Sequence, residues 1–397
     1  MTALRPNVLE GRGLRLWLTV SFAVMFTGPF LFHSRVALLN VVDVLFFLPS
    51  LTLLTRAVVS GDRRLLLSPW LVPLYALLGW LLLTMAWADN ANTSRTVRGV
   101  VEIITLVGIL RWLHLYYRHT LKQALTNAAL TSTVLLVVIM ISYYTTQPLG
   151  SPLFGESVRL IFDLPQPGPL LTTMALVTPC FILLAQAVEE GINAKGGRRA
   201  AGALVGFGFL VLVQWHTGIM LLVAALSWVL LRAEQRILGM LAAAVALYLS
   251  LDFEVLGNMG QYFTHPFFGN GLSQETGESL LVGVGVDEAL RIIPHPDNVL
   301  LAVIHSAGLV GLILFIAAWA VPAWRLPDGE QNLREGAIFL IAVVPGLLAM
   351  LSVGAYLLVP FHPSWMSLWM PLALMLASLS TRDTIRPPVR HPQPQPQ

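Results

Sequence analysis

The chain has 397 residues, of which 56% are hydrophobic and only 11% are charged, and its formal net charge is +3. A water-soluble domain carries roughly 25% charged residues, so this composition excludes a soluble globular protein and indicates an integral membrane protein. A net charge of +3 spread over this length produces only a weak positive potential, which argues against a nucleic-acid-binding protein. The single cysteine, Cys180, excludes an internal disulfide and a cysteine-based metal cluster.

Twelve apolar segments have about the length that a membrane-crossing helix needs, roughly 17 to 25 residues. They lie near residues 16–32, 37–57, 66–87, 99–117, 122–144, 168–188, 199–215, 217–232, 236–251, 299–321, 336–359 and 364–380. We therefore predict an all-α polytopic membrane protein with about 12 transmembrane helices, which form one domain over residues 1–381. The Pro- and Gln-rich end, residues 382–397, is predicted to be a disordered cytoplasmic tail.

The basic residues predict the orientation of the chain. If the N-terminus lies inside, nineteen of the 24 Lys and Arg residues fall on cytoplasmic segments, as the positive-inside rule requires. Arg35, Arg95, Arg98, Arg159 and Arg291 remain for the outer face. Both termini are therefore predicted to be cytoplasmic.

Two polar segments on the outer side stand out: residues 145–167, before the sixth span, and residues 252–298, a long periplasmic loop between the ninth and tenth spans. Each precedes a helix that runs inward. The positive end of each helix dipole therefore faces outward, which favours the binding of an anion there.

The loop before the tenth span ends with Arg291, His295, Asp297 and Asn298. His295 and Asn298 share a face if the helix has begun by then, and Arg291 can bind a phosphate in bidentate geometry. The alternative is that Asp297 or Asn298 only caps the helix, with His295 as a solvated loop residue.

Arg159 is the second candidate cation, in a loop that turns into the sixth span at Gln166 and the Pro and Gly residues around it. If the two outer loops meet, Arg159 and Arg291 form a cradle for a diphosphate. The alternative is a surface arginine paired with Glu156 or Asp163.

Other candidates lie within the predicted spans. Asp43 and Glu102 are ionisable groups at membrane depth, which are costly and often functional, and they are interpreted either as a proton path or as hydrogen-bonded packing residues. Gly308 and Gly311 are interpreted as small-residue helix packing. The sequence has no P-loop, dinucleotide fingerprint or protease motif, which argues against a nucleotide-driven pump or a membrane protease.

Three stretches of the outer segments carry recognisable motifs. They are Arg159 followed by Gln166-Pro167-Gly168; His265-Pro-Phe-Phe-Gly269-Asn-Gly271-Leu; and His295-Pro-Asp297-Asn298-Val-Leu-Leu301 followed by Gly308-Leu-Val-Gly311-Leu. In this order, and with a long outer loop before the tenth span, they resemble the O-antigen ligase and polymerase superfamily of bacterial envelopes over roughly residues 155–315. Where that family often has a His directly before the Asn, this chain has Asp297.

The resemblance implies a glycosyltransferase of the bacterial inner membrane that acts on the periplasmic face with no cofactor, neither nucleotide nor metal. Its donor would be a glycan linked to undecaprenyl diphosphate within the membrane lipids. The acceptor would be lipid A core for a ligase, which we favour on length and layout, or another lipid-linked repeat for a polymerase. The competing class is a transporter or flippase of lipid-linked sugars, with Asp43 and Glu102 as coupling residues.

The resemblance also implies roles for individual residues. Arg159 and Arg291 would neutralise the departing diphosphate. His295 would act as the general base on the acceptor hydroxyl, unless that role has passed to Asp297. The residues expected to bind substrate or orient the base are His265, Gln166, Asp297 and Asn298.

Overall fold

A computed structural model describes residues 12–32, 35–88, 93–146, 178–184, 186–187, 194–213, 267–269, 299–325 and 363–385. The regular secondary structure of these residues is helical throughout, which confirms the predicted all-α class for this part of the chain. The helices are α1 (Arg12–Leu31), α2 (Arg35–Val42), α3 (Leu48–Val59), α4 (Val72–Thr84), α5 (Thr93–Thr146), α6 (Ala194–Val213), α7 (Val299–Arg325) and α8 (Pro363–Ile385). A π-helical turn, Asp43–Phe47, joins α2 to α3, and two 3-10 turns, Arg63–Leu65 and Pro69–Leu71, lead into α4.

Four helical stretches among the described residues are long and apolar enough to cross a membrane. They are Val36–Val59, Arg63–Thr84, Thr93–Val138 and Ala302–Pro322. All four fall on predicted spans, and a shorter apolar helix, Leu368–Leu379, falls on the last predicted span. The total of twelve spans and the long loop at 252–298 stay predictions, because most of the intervening residues lie outside the described ranges.

The longest helix, α5, covers the predicted fourth and fifth spans. A straight helix of 54 residues would extend about 80 Å, far beyond the roughly 30 Å of a bilayer core. Its backbone breaks at Tyr117, where φ is −135° and ψ is 35°. The ring of Trp112 packs on Tyr117 with a centroid distance of 5.2 Å, and Tyr117 is buried. The break therefore separates two helical segments of membrane-crossing length at a packed position.

The core of the described bundle forms around α5. Helices α1, α3 and α8 pack along α5, and α7 packs along α4. On α1 the buried residues Leu18, Phe22 and Phe26 recur every four positions, which places them on one helix face. They belong to the same buried cluster as Leu106 and Leu110 of α5.

The π-helical turn Asp43–Phe47 is held by α1. In a π-helix the hydrogen bonds span five residues, and such turns often occur at functional sites; here the N–H of Leu48 donates to the carbonyl of Asp43. Trp17 of α1 donates from Nε1 to the carbonyl of Leu45 at 2.7 Å, and its ring stacks on Phe46. The packing against α1 thus fixes the turn that carries the Asp43 carboxylate.

The last helix, α8, is buried along residues 368–377 and contacts both α5 and α7. It continues to Ile385, four residues past residue 381, the predicted end of the membrane domain. Residues 386–397 lie outside the described ranges, so the disordered tail stays a prediction.

Candidate functional site

A short turn at residues 267–269 docks on α7 where that helix is interrupted. At Gly308 φ is 67° and ψ is −169°, and at Gly269 φ is 71°; glycine adopts such positive φ values without the steric cost that other residues incur. A Cβ on Gly269 would lie only 2.5 Å from the carbonyl carbon of Ser306, and a Cβ on Gly308 would collide with the backbone of Phe267. The two backbones therefore touch directly, and neither glycine has room for a side chain.

The interruption of α7 leaves backbone groups without helical partners, and neighbouring residues bind them. The carbonyl of Ala307 accepts a hydrogen bond from Nε1 of Trp80 in α4 at 2.9 Å. The N–H of Val310 donates to the carbonyl of Phe267 at 3.4 Å. An unpaired buried backbone group costs about 1 to 3 kcal/mol, so these bonds stabilise the break and the docked turn together.

Aromatic rings surround the docked turn. Trp80, Trp87 and Phe268 form a cluster in which the ring centroids are 5.9 to 6.4 Å apart, and Trp87 also donates from Nε1 to the carbonyl of Gly269 at 3.3 Å. Phe267 and Phe268 are 62% and 59% exposed. The turn thus presents two exposed rings beside a hydrogen-bonded backbone contact.

The two glycines of α7 have different roles. A Cβ on Gly311 would lie 3.5 Å from the ring of Trp80, so Gly311 faces α4 and fits the interpretation as small-residue helix packing. That interpretation was wrong for Gly308, whose backbone contacts the 267–269 turn rather than another helix.

A charged cluster joins the π-helical turn to the start of α5. Arg98 donates from Nη2 to Oδ2 of Asp43 at 2.5 Å and from Nε to Oε1 of Glu102 at 2.7 Å. Glu102 is the most buried of the three, with its side chain 5% exposed. Charged groups in a membrane-spanning helix are costly unless they are paired. The ion pairs therefore give Asp43 and Glu102, both singled out by the sequence, a structural role.

The residues that the sequence assigns to the site lie outside the described ranges. They are Arg159, Gln166, His265, Arg291, His295, Asp297 and Asn298. The structure does describe the neighbours of two motifs: Phe267 follows His265 by two residues, and Val299 directly follows Asn298. It brings the second motif, at residues 267–269, into contact with Gly308, the first residue of the Gly308-Leu-Val-Gly311-Leu part of the third motif.

Neither Trp80 nor Trp87 was predicted to take part in this contact. Trp80 lies in α4, whereas Trp87 lies three residues beyond the end of that helix, so no periodic pattern along one helix relates the two rings. Within the described ranges, no group of three or more His, Cys, Asp or Glu residues is placed to hold a metal ion.

The described fold is that of an all-helical protein with several helices fit to cross a membrane. Over 332 residues, which are 79% of this chain and 79% of the relative, the sequence is 25% identical to a protein named O-antigen ligase from Pseudomonas aeruginosa. This similarity confirms the resemblance to the O-antigen ligase superfamily and, with the membrane-spanning helices, indicates a bacterial membrane protein. No protein-family model matches the chain.

Proposed function

We propose that the protein is a membrane glycosyltransferase that moves a glycan from undecaprenyl diphosphate to an acceptor hydroxyl on the periplasmic face, as an O-antigen ligase whose acceptor is lipid A core. The relative named O-antigen ligase, which aligns over 79% of each chain, supports this class of reaction. The observation that carries the proposal is the contact of Gly269 with Gly308, because it joins two stretches that resemble motifs of that family.

The docked turn supports a common site for the motif residues on either side of it. His265 is two residues from Phe267, a reach of about 7 Å. Asn298 is ten residues before Gly308, a rise of about 15 Å if the whole stretch is helical. These chain lengths allow His265 and the residues at 295–298 to share one site near the start of α7.

In the proposed reaction the acceptor hydroxyl attacks C1 of the donor's first sugar. A bond forms between the hydroxyl oxygen and C1, the bond from C1 to the diphosphate oxygen breaks, and its electron pair leaves with undecaprenyl diphosphate. His295 accepts the hydroxyl proton as general base, and Asp297 or Asn298 orients the imidazole.

Two arginines supply the electrostatic part of the proposed mechanism. Arg159 and Arg291 neutralise the charge that grows on the departing diphosphate, an effect that contributes several kcal/mol in preorganised sites, roughly 3 to 4 for one donor. His265 and Gln166 complete the substrate-binding residues. Diphosphate is already a good leaving group, so the proposed reaction uses neither a nucleotide nor a metal.

The test is a transfer assay with the full chain purified in detergent, undecaprenyl-diphosphate-linked glycan as donor and lipid A core as acceptor, read out by mass spectrometry of the glycolipids. Detergent removes the membrane barrier, so product formation is expected of an enzyme and not of a flippase. If product appears only when a second lipid-linked repeat replaces lipid A core, the protein is a polymerase. Absence of product with both acceptors, together with translocation in proteoliposomes, would replace the proposal with a transporter.

A further inference from the structure

A cavity of about 440 Å³ lies between the start of α1 and the break of α5 at Tyr117. Arg12 and Arg15 of α1 and Arg118 of α5 line it. Its volume falls within the range of small-molecule sites, roughly 300 to 1,000 Å³. Three guanidinium groups from two helices thus border one pocket that is open to the surface.

A chain of hydrogen bonds orders the polar side chains of this cavity. Arg15 donates from Nη1 to Oε1 of Gln123 at 3.1 Å, which fixes the amide because a guanidinium cannot accept. The amide nitrogen of Gln123 then donates to Nε2 of His119, 2.8 Å away. These two hydrogen bonds link Arg15, Gln123 and His119 in one ordered chain along the cavity wall.

One carboxylate lies close to the cavity wall, because Oδ2 of Asp62 accepts a hydrogen bond from the phenol of Tyr116, a lining residue, at 2.7 Å. Among the described residues that line the cavity itself, none is Asp or Glu and three are arginines. Positive side chains therefore predominate in the lining.

The cavity is far along α5 from the start of that helix. Twenty residues of α5 separate Arg98 from Arg118, a rise of about 30 Å, which matches the thickness of a bilayer core. Trp87, which contacts the docked turn, precedes the first residue of α5 by six positions, so we expect the cavity at the membrane face opposite to that turn. The distribution of basic residues predicts that this face is cytoplasmic.

We propose that this cavity binds a phosphate group, presented either by an anionic lipid headgroup of the adjacent leaflet or by free phosphate. Guanidinium groups bind phosphate oxygens through paired, charge-assisted hydrogen bonds. A phosphate bound between the three arginines interacts favourably with each of them. Basic pockets between transmembrane helices bind lipid headgroups in the same way.

The test is native mass spectrometry of the full chain, purified and delipidated in detergent, with short-chain phosphatidylglycerol or inorganic phosphate as probe. Short-chain phosphatidylcholine, whose phosphate is balanced by a choline, is the probe control. Arg12→Gln and Arg118→Gln each remove one cation, and both side chains are exposed, so the fold is expected to persist. Each variant should lower affinity for the bound probe about tenfold, the loss expected for one charge-assisted hydrogen bond.

Arg56→Gln is the matched control, because Arg56 is exposed near the end of α3 and does not line the cavity. Its affinity should stay within about twofold of the unmodified chain. Binding of phosphatidylglycerol alone identifies a lipid headgroup as the source of the phosphate, and binding of inorganic phosphate identifies a free anion. The proposal is overturned if neither probe binds, or if Arg56→Gln weakens binding as much as the cavity variants do. The assay contains no glycan, so its outcome is independent of the transfer reaction.

Discussion

Gly269 and Gly308 are 39 residues apart in the sequence and lie backbone against backbone, each with a positive φ. Because neither glycine has a side chain, the backbone of each segment fits into the space that a Cβ of the other segment's glycine would fill. The glycines of the second and third motifs therefore serve one shared contact, and they tie the turn at residues 267–269 to α7.

Gly308→Ala should destabilise the protein by at least about 2 kcal/mol, because its φ and ψ lie in a region that only glycine adopts readily and because a Cβ would strike Phe267. Gly79→Ala is the matched control, since a Cβ on Gly79 of α4 meets nothing within 4 Å. Thermal unfolding in detergent measures both. Equal melting temperatures for the two variants would contradict the docking.

Trp80→Phe should cost about 1 to 3 kcal/mol, because it keeps an aromatic ring but leaves the buried carbonyl of Ala307 without its donor. Trp87→Phe should cost less, since its bond to Gly269 is longer and its ring is 40% exposed. Chemical unfolding of the two variants shows directly which of them is destabilised more. The reverse order would show that Trp80 does not stabilise the break in α7.

Arg98→Gln should destabilise the bundle more than Asp43→Asn, because it leaves the buried Glu102 without its cation and next to a second carboxylate. The double variant Arg98→Gln, Glu102→Gln should recover part of the loss, since it removes the stranded charge. Thermal unfolding of the three variants tests this order. Asp43→Asn should also leave glycan transfer largely intact, whereas a transporter that couples through Asp43 would lose its activity.

Arg159→Ala and Arg291→Ala should each reduce glycan transfer by about 10² to 10³, the loss typical of one preorganised electrostatic contact. Expression and membrane insertion should be unchanged, because both residues are predicted to lie in outer loops. Arg56→Ala, an exposed residue of α3, controls for loss of a single positive charge. Near-normal transfer by both variants would remove the diphosphate cradle from the mechanism.

His295→Ala should lower the turnover number by about 10² to 10⁴ with a smaller effect on donor binding, as expected for a general base. Steady-state kinetics with varied donor concentration separates the two effects. Asp297→Ala should leave more activity than His295→Ala. If Asp297→Ala is the inactive variant and His295→Ala is active, the base is Asp297.

Hydropathy was enough to locate most of the described helices, because crossing a bilayer demands a run of apolar residues whatever its neighbours are. The break near Tyr117 agrees with the predicted end of the fourth span. Hydropathy could not predict the π-helical turn at Asp43 or the interruption of α7 at Gly308. Both depend on partners distant in sequence, Trp17 and Arg98 in the first case and Phe267 in the second.

The residues of the candidate site could be predicted from the sequence only in part, because their contacts are with residues distant in the chain. Motif resemblance selected Gly269 and Gly308 without revealing that they meet, because a sequence pattern carries no information on which backbones touch. The ion pairs of Arg98 were not predicted, because the positive-inside rule was used only to assign Arg98 to the outer face. Arg98 and Glu102 are four residues apart on one helix, and this spacing could have predicted their ion pair but not the pair of Arg98 with Asp43.

The interruption of α7 also bears on what can bind at membrane depth. Broken helices in many transporters present the partial charges of their half-helix ends to an ion or substrate. Here the carbonyl of Ala307 is bound by an indole N–H and the N–H of Val310 by the carbonyl of Phe267. The chain itself therefore occupies the positions at which a transported ion or substrate would bind in such a broken helix, and the break serves to bind the turn at residues 267–269.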